Sequence, residues 1–267
     1  MRPSRYPRIP IPKFSTQEIK TADLCARALW YGINFQTGKS QHSDAFLLET
    51  FAHHFSYFHK TKTQYRPDVM EADIKRLIKT CKVTNLYRSL AKIDLKKGRN
   101  TIYTSVYKAY HKHLKNPNLN SAIEDSLDCL WAQSKGFIAN PNHNCLNLAS
   151  RILFFMAPSL QIFNMNRKVA VLLGLKVEPI SHYRELYQVL YKGLKTNQTQ
   201  LSKYKLPKRR DTLDLIIWNE TIRTNWWERR ILDIAILIKF NLASVHPQLD
   251  SLIKAQHKQD GVDLIIT

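Results

Sequence analysis

Only seven glycines occur among the 267 residues of this chain, and their scarcity restricts the folds open to it. Glycine is a usual residue in the tight turns that join β-strands. Strand-like alternation of apolar and polar residues is scarce as well, whereas apolar residues recur at helical spacing along most of the chain. The sequence therefore predicts an all-α fold, in which many helices form two lobes.

Boundary signals locate several of these helices. Ser15 and Glu18 form a capping-box pattern, in which each side chain satisfies a free backbone N–H group at the start of a helix. Gly174 is placed to end a helix and Pro247 to begin one. After the helix that starts at Ser15, the periodicity predicts helices over residues 43–60, 67–81, 84–96, 101–115, 119–134, 144–157, 165–174, 182–195, 211–223, 225–242 and 247–258.

The chain is expected to divide into three regions. Residues 1–14 contain four prolines and four basic side chains, and they are interpreted as an extended arm that either enters a DNA minor groove or stays mobile. Residues 15–135 form a basic helical region, and residues 136–267 form a second helical region that carries the functional site.

The charge balance indicates a polyanionic partner. The 41 Lys and Arg against 21 Asp and Glu give a formal charge of +20, and such an excess favours nucleic acid, most of all DNA. The positive charge is concentrated in two segments. Residues 60–115 hold fifteen basic and four acidic side chains, with five interleaved tyrosines. Residues 192–210 hold seven basic side chains and no acid. A generally cationic surface, with many lysines only solvating helix faces, is the simpler alternative.

Other classes of protein are not supported. The four cysteines are widely spaced, with no CxxC pair and no histidine pair at ligand spacing, so we predict reduced thiols, no metal site and no cofactor. No secretory signal peptide is recognised, and the longest apolar run, residues 231–238, is broken by Asp233 and is too short for a membrane span. The sequence thus predicts a cytoplasmic or DNA-associated protein that does not enter a membrane.

The most informative stretch is Ala149–Gly174, ASRILFFMAPSLQIFNMNRKVAVLLG. It has the pattern of an apolar helix, a turn that contains proline, and a second helix that opens on Asn164. This pattern resembles the core of the helix-hairpin-helix DNA glycosylase superfamily, and most closely the 8-oxoguanine-glycosylase-like bacterial proteins. The matching residues are Ala149, Ser150, Arg151 in place of Lys, Ile152, Leu153, Pro158, Ile162, and Asn164 in place of Asp. Residues 226–233, WWERRILD, also resemble a late helix of those proteins.

The resemblance implies a protein that flips a nucleotide out of DNA and excises its base through an oxocarbenium-like sugar. A carboxylate would stabilise that charge, but Asn164 is an amide. The family's nucleophilic Lys matches a position near Asn147, and its glycine-rich hairpin is missing. Asn164 is therefore an ordinary helix N-cap, the mark of an inactive relative that still binds DNA, or part of a working enzyme whose acid is Asp211, Asp214 or Asp233.

Nucleic-acid contacts are expected from basic and aromatic side chains near this motif. Trp226 and Trp227 would stack on bases or wedge into a duplex if exposed, but large aromatic side chains more often pack in a core. Arg229 and Arg230 have helical spacing for ion pairs with Asp233. The candidate contacts are Arg151, Arg167, Lys168, Lys203, Lys205, Lys208, Arg209, Arg210, Trp226, Trp227, Arg229, Arg230 and His143.

Three functions remain open from the sequence. The first is a DNA glycosylase that excises a damaged or modified base, for which the resemblance suggests a setting in phage defence. The second is a non-catalytic nucleic-acid-binding protein with an inactivated glycosylase fold. The third is a basic helical module that binds an acidic partner protein.

Overall fold

The computed structural model describes residues 10–48 except 42, residues 150–175 except 152–153, 156–157 and 159–160, and all of 180–207 and 220–259. About 64% of this part of the chain is helical. Its extended structure is limited to an isolated antiparallel bridge between Ile33 and Ser40. The predicted all-α fold is confirmed.

Five helices have complete bounds within these residues. They are α1 (Thr16–Trp30), α2 (Arg167–Leu172), α3 (Ile180–Leu201), α4 (Glu220–Lys239) and α5 (Leu249–Gln259). Residues 44–48 are helical as well, as are residues 150–151 and 154–155. None of the helices in the described residues is both long and apolar enough to cross a membrane.

The predicted bounds need two corrections, and several predicted helices lie where the structure does not test them. A break was expected between helices at 211–223 and 225–242, but α4 runs through these positions because nothing in its sequence there interrupts backbone hydrogen bonding. Helix α3 also extends six residues beyond the expected end at 195. The helices predicted at 67–81, 84–96, 101–115 and 119–134 lie outside the described residues.

Helix ends follow the local signals in the sequence. The Ser15 capping box is present, with the Ser15 N–H donating to Glu18 and the Glu18 N–H donating to Ser15. Gly174 ends α2 at φ +72°, the Leu175 N–H donates to the Ala170 carbonyl, and this is the predicted C-terminal cap. Helices α1 and α4 end in the same motif, with Gly32 and Asn241 in the left-handed conformation.

Contacts divide the chain into two units, with the boundary inside α3. In one unit, the described residues lie between 150 and 189. In the other, the described residues are 10–48 together with those from Leu190 onwards, because α1 packs on α4 and α5. The expected boundary at 135/136 lies outside the described residues and stays a prediction. We call the two parts the motif unit and the tryptophan unit.

Three indole rings fill the centre of the tryptophan unit. Trp30 of α1 and Trp226 and Trp227 of α4 are completely buried, and each pair of ring centroids lies 6.1–6.2 Å apart. The Trp30 ring is tilted against Trp226 and edge-on to Trp227, whereas Trp226 and Trp227 are stacked, and each ring buries a large apolar area. The cluster therefore fixes α1 against α4, and it leaves the exposed faces of this unit to charged side chains.

Candidate nucleic-acid interface

The C-terminal half of α3 has one buried face and one basic face. Its buried positions recur at helical spacing and include Leu190, Leu194, Asn197 and Leu201. Two lysines on the other side of α3 and one in the turn that follows it are exposed. They are separated by three and then eight residues, and these spacings place side chains on similar sides of a helix. We call this the α3 basic face; it comprises Lys192, Lys195 and Lys203, and Lys205 follows in the turn.

The charges of the α3 basic face are largely uncompensated. Among the described residues, no carboxylate lies within ion-pair distance of Lys192, Lys203 or Lys205. The Lys195 ammonium donates to Gln198 Oε1 at 3.3 Å and lies 5.6 Å from the centre of the Tyr191 ring. Exposed ammonium groups without carboxylate partners stay available for phosphate groups.

The turn that follows α3 is held in place from α1. The Tyr204 N–H donates to the Leu201 carbonyl at 3.0 Å, and the Arg27 guanidinium donates to the Lys205 carbonyl at 3.3 Å. Arg27 is itself fixed by an ion pair of 2.7 Å with the buried Asp23. Burial raises the pKa of Asp23, and the adjacent Arg27 opposes that rise. The backbone that carries Lys203 and Lys205 is thus attached to the core.

The end of the predicted arm is packed and does not stand free. Residues 10–14 belong to no helix or strand, and the side chains of Ile11 and Phe14 are buried. The Phe14 N–H donates to Asn197 Oδ1 at 2.8 Å, which ties this segment to α3. These five residues are therefore neither a free arm that could enter a minor groove nor a mobile segment. Residues 1–9 lie outside the described part of the chain.

The structure corrects the expectation that α4 supplies stacking aromatic side chains. Trp226 and Trp227 have no exposed surface, so neither ring can stack on a base while the unit is folded. The Trp227 indole N–H also donates to Asp23 at 3.1 Å. Arg229 is 1% exposed, and its Nε donates to the Asn225 carbonyl at 3.0 Å, so it is not a surface phosphate contact either.

Arg230 and Asp233 belong to a network of ion pairs. The Arg230 Nε lies 2.7 Å from an Asp44 oxygen, and Arg230 Nη1 lies 3.5 Å from Asp233, which confirms the expected Arg230–Asp233 pair. The Arg230 side chain is only 13% exposed. The network gives Arg230 and Asp233 a structural role in this unit. Their nucleic-acid and catalytic roles stay predictions.

A buried acid that the sequence reasoning missed lies between the tryptophans and these arginines. Glu228 is 2% exposed, and burial raises its pKa, while the charges of Lys195 and Arg229 oppose the rise. The sequence pattern could have predicted this burial, because Glu228 lies three and four residues before Ile231 and Leu232, and residues at this spacing share a helix face.

The motif unit holds Asn164 in a fixed, buried loop. The Tyr183 hydroxyl donates to the Phe163 carbonyl at 3.0 Å, and the Met165 N–H donates to Ser150 Oγ at 2.8 Å. Asn164 lies between these two attachments and is 8% exposed. Ser150 therefore connects the two halves of the sequence motif.

The interpretation of Asn164 as a helix N-cap is wrong. Helix α2 begins at Arg167, and its N-cap is Asn166, whose side chain accepts from the Lys168 N–H at 2.9 Å. The Met165 N–H, which a helix capped by Asn164 would leave free, donates to Ser150 Oγ. Asn164 precedes the actual cap by two residues.

The remaining candidates have separate outcomes. Lys168 is exposed on α2, Arg151 is half-buried, and the backbone of Arg167 forms the first residue of α2. His143, Lys208, Arg209, Arg210, Asp211 and Asp214 lie outside the described residues, as does the basic segment 60–115. Cys25 is buried as a free thiol, and burial raises its pKa to about 12.

The described residues contain no cluster of three His, Cys, Asp or Glu side chains that could hold a metal ion.

Comparison with known proteins gives no match for this chain. No family model matches the chain, and neither a curated protein nor a solved structure matches it.

Proposed function

We propose that this protein binds nucleic acid, most readily DNA, and that the α3 basic face contacts the phosphate backbone. The observation that carries the proposal is the set of exposed lysines on α3 and its turn, none of which forms an ion pair with a carboxylate among the described residues, although Lys195 is near enough to the buried Glu228 to lower its pKa. The net charge of +20 supports the same partner class. Lysines that contact phosphate give affinity without base specificity, and each contact releases counterions.

The test is a salt titration of binding to fluorescent duplex and single-stranded oligonucleotides by the full chain. We expect the logarithm of affinity to fall linearly with the logarithm of salt, and the K192A/K195A/K203A variant to lower that slope by up to about three. K254A is the matched control, because Lys254 is exposed but paired with Asp250 at 2.6 Å. Absence of binding at low salt would reject the proposal and favour an acidic protein partner.

Base excision is the second candidate function, and the Ser150–Met165 hydrogen bond favours it. This bond joins the two sequence elements on which the resemblance to DNA glycosylases rests, and it fixes the backbone beside Asn164. An amide there can orient a water molecule or a sugar but cannot supply negative charge. We therefore place base excision second to binding alone, with Asp211, Asp214 and Asp233 as the candidate acids.

The deciding assay incubates wild type and the N164D and N164A variants with DNA that carries damaged or modified bases, followed by alkali to cut at abasic sites. Cleavage by the wild type that D211N, D214N or D233N abolishes would establish a glycosylase. Cleavage by N164D alone would indicate a relative inactivated at this position. Salt-sensitive binding with no abasic sites from any variant would leave the non-catalytic function.

A further inference from the structure

We infer that Asp23 and Arg27 position the turn after α3 so that Lys203 and Lys205 meet the phosphate backbone of a nucleic acid. The inference rests on the proposed function, because it assigns part of the affinity of that surface to two residues that act through the position of the lysines. Both lie in α1, and Arg27 is 178 residues away from Lys205 in sequence.

Three consecutive hydrogen bonds connect the turn to the aromatic core. The Trp227 indole N–H donates to Asp23 Oδ1 at 3.1 Å, and the other carboxylate oxygen, Oδ2, accepts from Arg27 Nε at 2.7 Å. A second nitrogen of the guanidinium, Nη2, donates to the Lys205 carbonyl at 3.3 Å. Trp227 is completely buried and Asp23 is 5% exposed, so these bonds join the packed core to the backbone of the turn.

The side chain of Tyr204 also lies near this ion pair. Burial raises the pKa of the Tyr204 phenol, the charge of Asp23 adds to the rise, and the charge of Arg27 opposes it. Tyr204 is half-buried, whereas Lys203 and Lys205 on either side of it are exposed. The tyrosine therefore adds a second point at which the turn meets α1, and the two lysines keep their charges in solvent.

Such an arrangement favours binding because a turn that is already ordered loses less conformational freedom when it meets a partner. Arginine suits the position, since its guanidinium donates from separate nitrogens in a fixed plane. Here those nitrogens bind a carboxylate and a backbone carbonyl at the same time. A neutral partner in place of the carboxylate would hold the guanidinium less strongly, because hydrogen bonds between charged groups are the stronger ones.

The D23N variant separates positioning from the effect of charge. Its amide oxygen can still accept from the Trp227 N–H, but the amide no longer pairs with the guanidinium of Arg27. Charge alone predicts tighter binding, because D23N raises the net positive charge by one. Positioning predicts the opposite, a loss of affinity of about three- to tenfold at constant salt. D250N is the matched control, since it also removes one carboxylate, but from an exposed ion pair with Lys254 in α5.

The experiment measures binding of the full chain to a fluorescent duplex over a range of salt concentrations. K203A/K205A should lower the salt slope of the wild type by up to about two. The same double change should cost less affinity in the D23N background, because the lysines are no longer positioned there. Hydrogen exchange of the Tyr204 amide, which donates to the Leu201 carbonyl at 3.0 Å in the folded chain, should be faster in D23N.

R27K gives a second test that keeps the positive charge. The ammonium of lysine is a single donor atom, so it cannot reproduce the two bonds that Arg27 makes from two nitrogens, and R27K should weaken binding as D23N does. Circular dichroism checks that each variant is folded, and R27K decides if D23N is not.

Three results would overturn the inference while the proposed function stands. They are D23N and R27K that bind as tightly as the wild type, a loss from K203A/K205A that is equal in both backgrounds, and a wild-type salt slope that K203A/K205A leaves unchanged. A wild type that does not bind at low salt would overturn the proposed function as well.

Discussion

Two segments of the tryptophan unit, residues 192–205 and 226–230, both contain basic and aromatic side chains but have opposite surroundings. Both are candidates for nucleic-acid contact by sequence. In α3 and its turn the lysines are exposed, and none forms an ion pair with a carboxylate among the described residues. In α4 the arginines and tryptophans are enclosed by Asp23, Asp44 and backbone carbonyls. Basic and aromatic side chains therefore mark a surface in one helix and a core in the other.

The difference follows from which partners the rest of the chain supplies. A planar guanidinium can satisfy its donors against a carboxylate and carbonyls, so arginine tolerates burial better than lysine, whose ammonium is strongly hydrated. Asp44 reaches Arg230 from 186 residues away, and Asp23 reaches Trp227 from 204 residues away. A run of basic residues thus indicates a polyanion only when no acid from elsewhere in the fold reaches it.

The largest expected effect tests the buried side of this comparison. W227A should lower the free energy of unfolding by about 4 kcal/mol, because it empties a large volume in the core. W227F should cost less, about 1–2 kcal/mol, since it keeps an aromatic ring but removes the N–H donor of the buried Asp23. Urea denaturation followed by circular dichroism measures both. A cost below 1 kcal/mol for W227A would contradict the packing of the three indoles.

A matched pair of charge removals compares the two segments directly. R230A should lower the free energy of unfolding by about 3 kcal/mol, because Asp44 stays buried without its partner. K192A removes one positive charge as well, and it should change stability by less than about 0.5 kcal/mol. DNA affinity per folded molecule should show the reverse order. Equal stability losses would remove the distinction between the two segments.

The pH dependence of stability tests the buried acid in α4. Burial raises the pKa of Glu228 above 4.5, so its ionisation is less favourable in the folded chain than in the unfolded chain. Its contribution to stability is therefore highest below pH 4.5 and falls as the pH rises through the folded pKa. E228Q should raise the unfolding midpoint at pH 7 relative to wild type, with the gain shrinking towards pH 4. A constant difference across this range would show that Glu228 does not titrate as expected.

The smallest effect concerns the exposed side. The K192A/K195A/K203A variant should keep its helix content and unfold within about 1 kcal/mol of the wild type, since surface substitutions away from structural contacts are nearly neutral. Circular dichroism and thermal unfolding check this alongside the salt titration. A large loss of stability would show that these lysines stabilise the fold.

Local signals were predictable from the sequence and distant partners were not. The Ser15–Glu18 box and the Gly174 cap depend on residues within a few positions, so pattern reasoning located both. The choice between Asn164 and Asn166 as N-cap depends on Ser150, which is 15 residues from Met165. The anchoring of Phe14 by Asn197 spans 183 residues. Periodicity also marked the residues around Trp226 as helical, but it did not show which side of the helix would be covered.

The packing of α1 on α4 has a consequence for synthesis on the ribosome. The apolar face of α1 is complete once Trp30 has been made, but its partners in α4 follow about 200 residues later. At roughly 5–20 residues per second, this interval is on the order of 10–40 s. During that time the nascent chain exposes a surface that the finished protein buries.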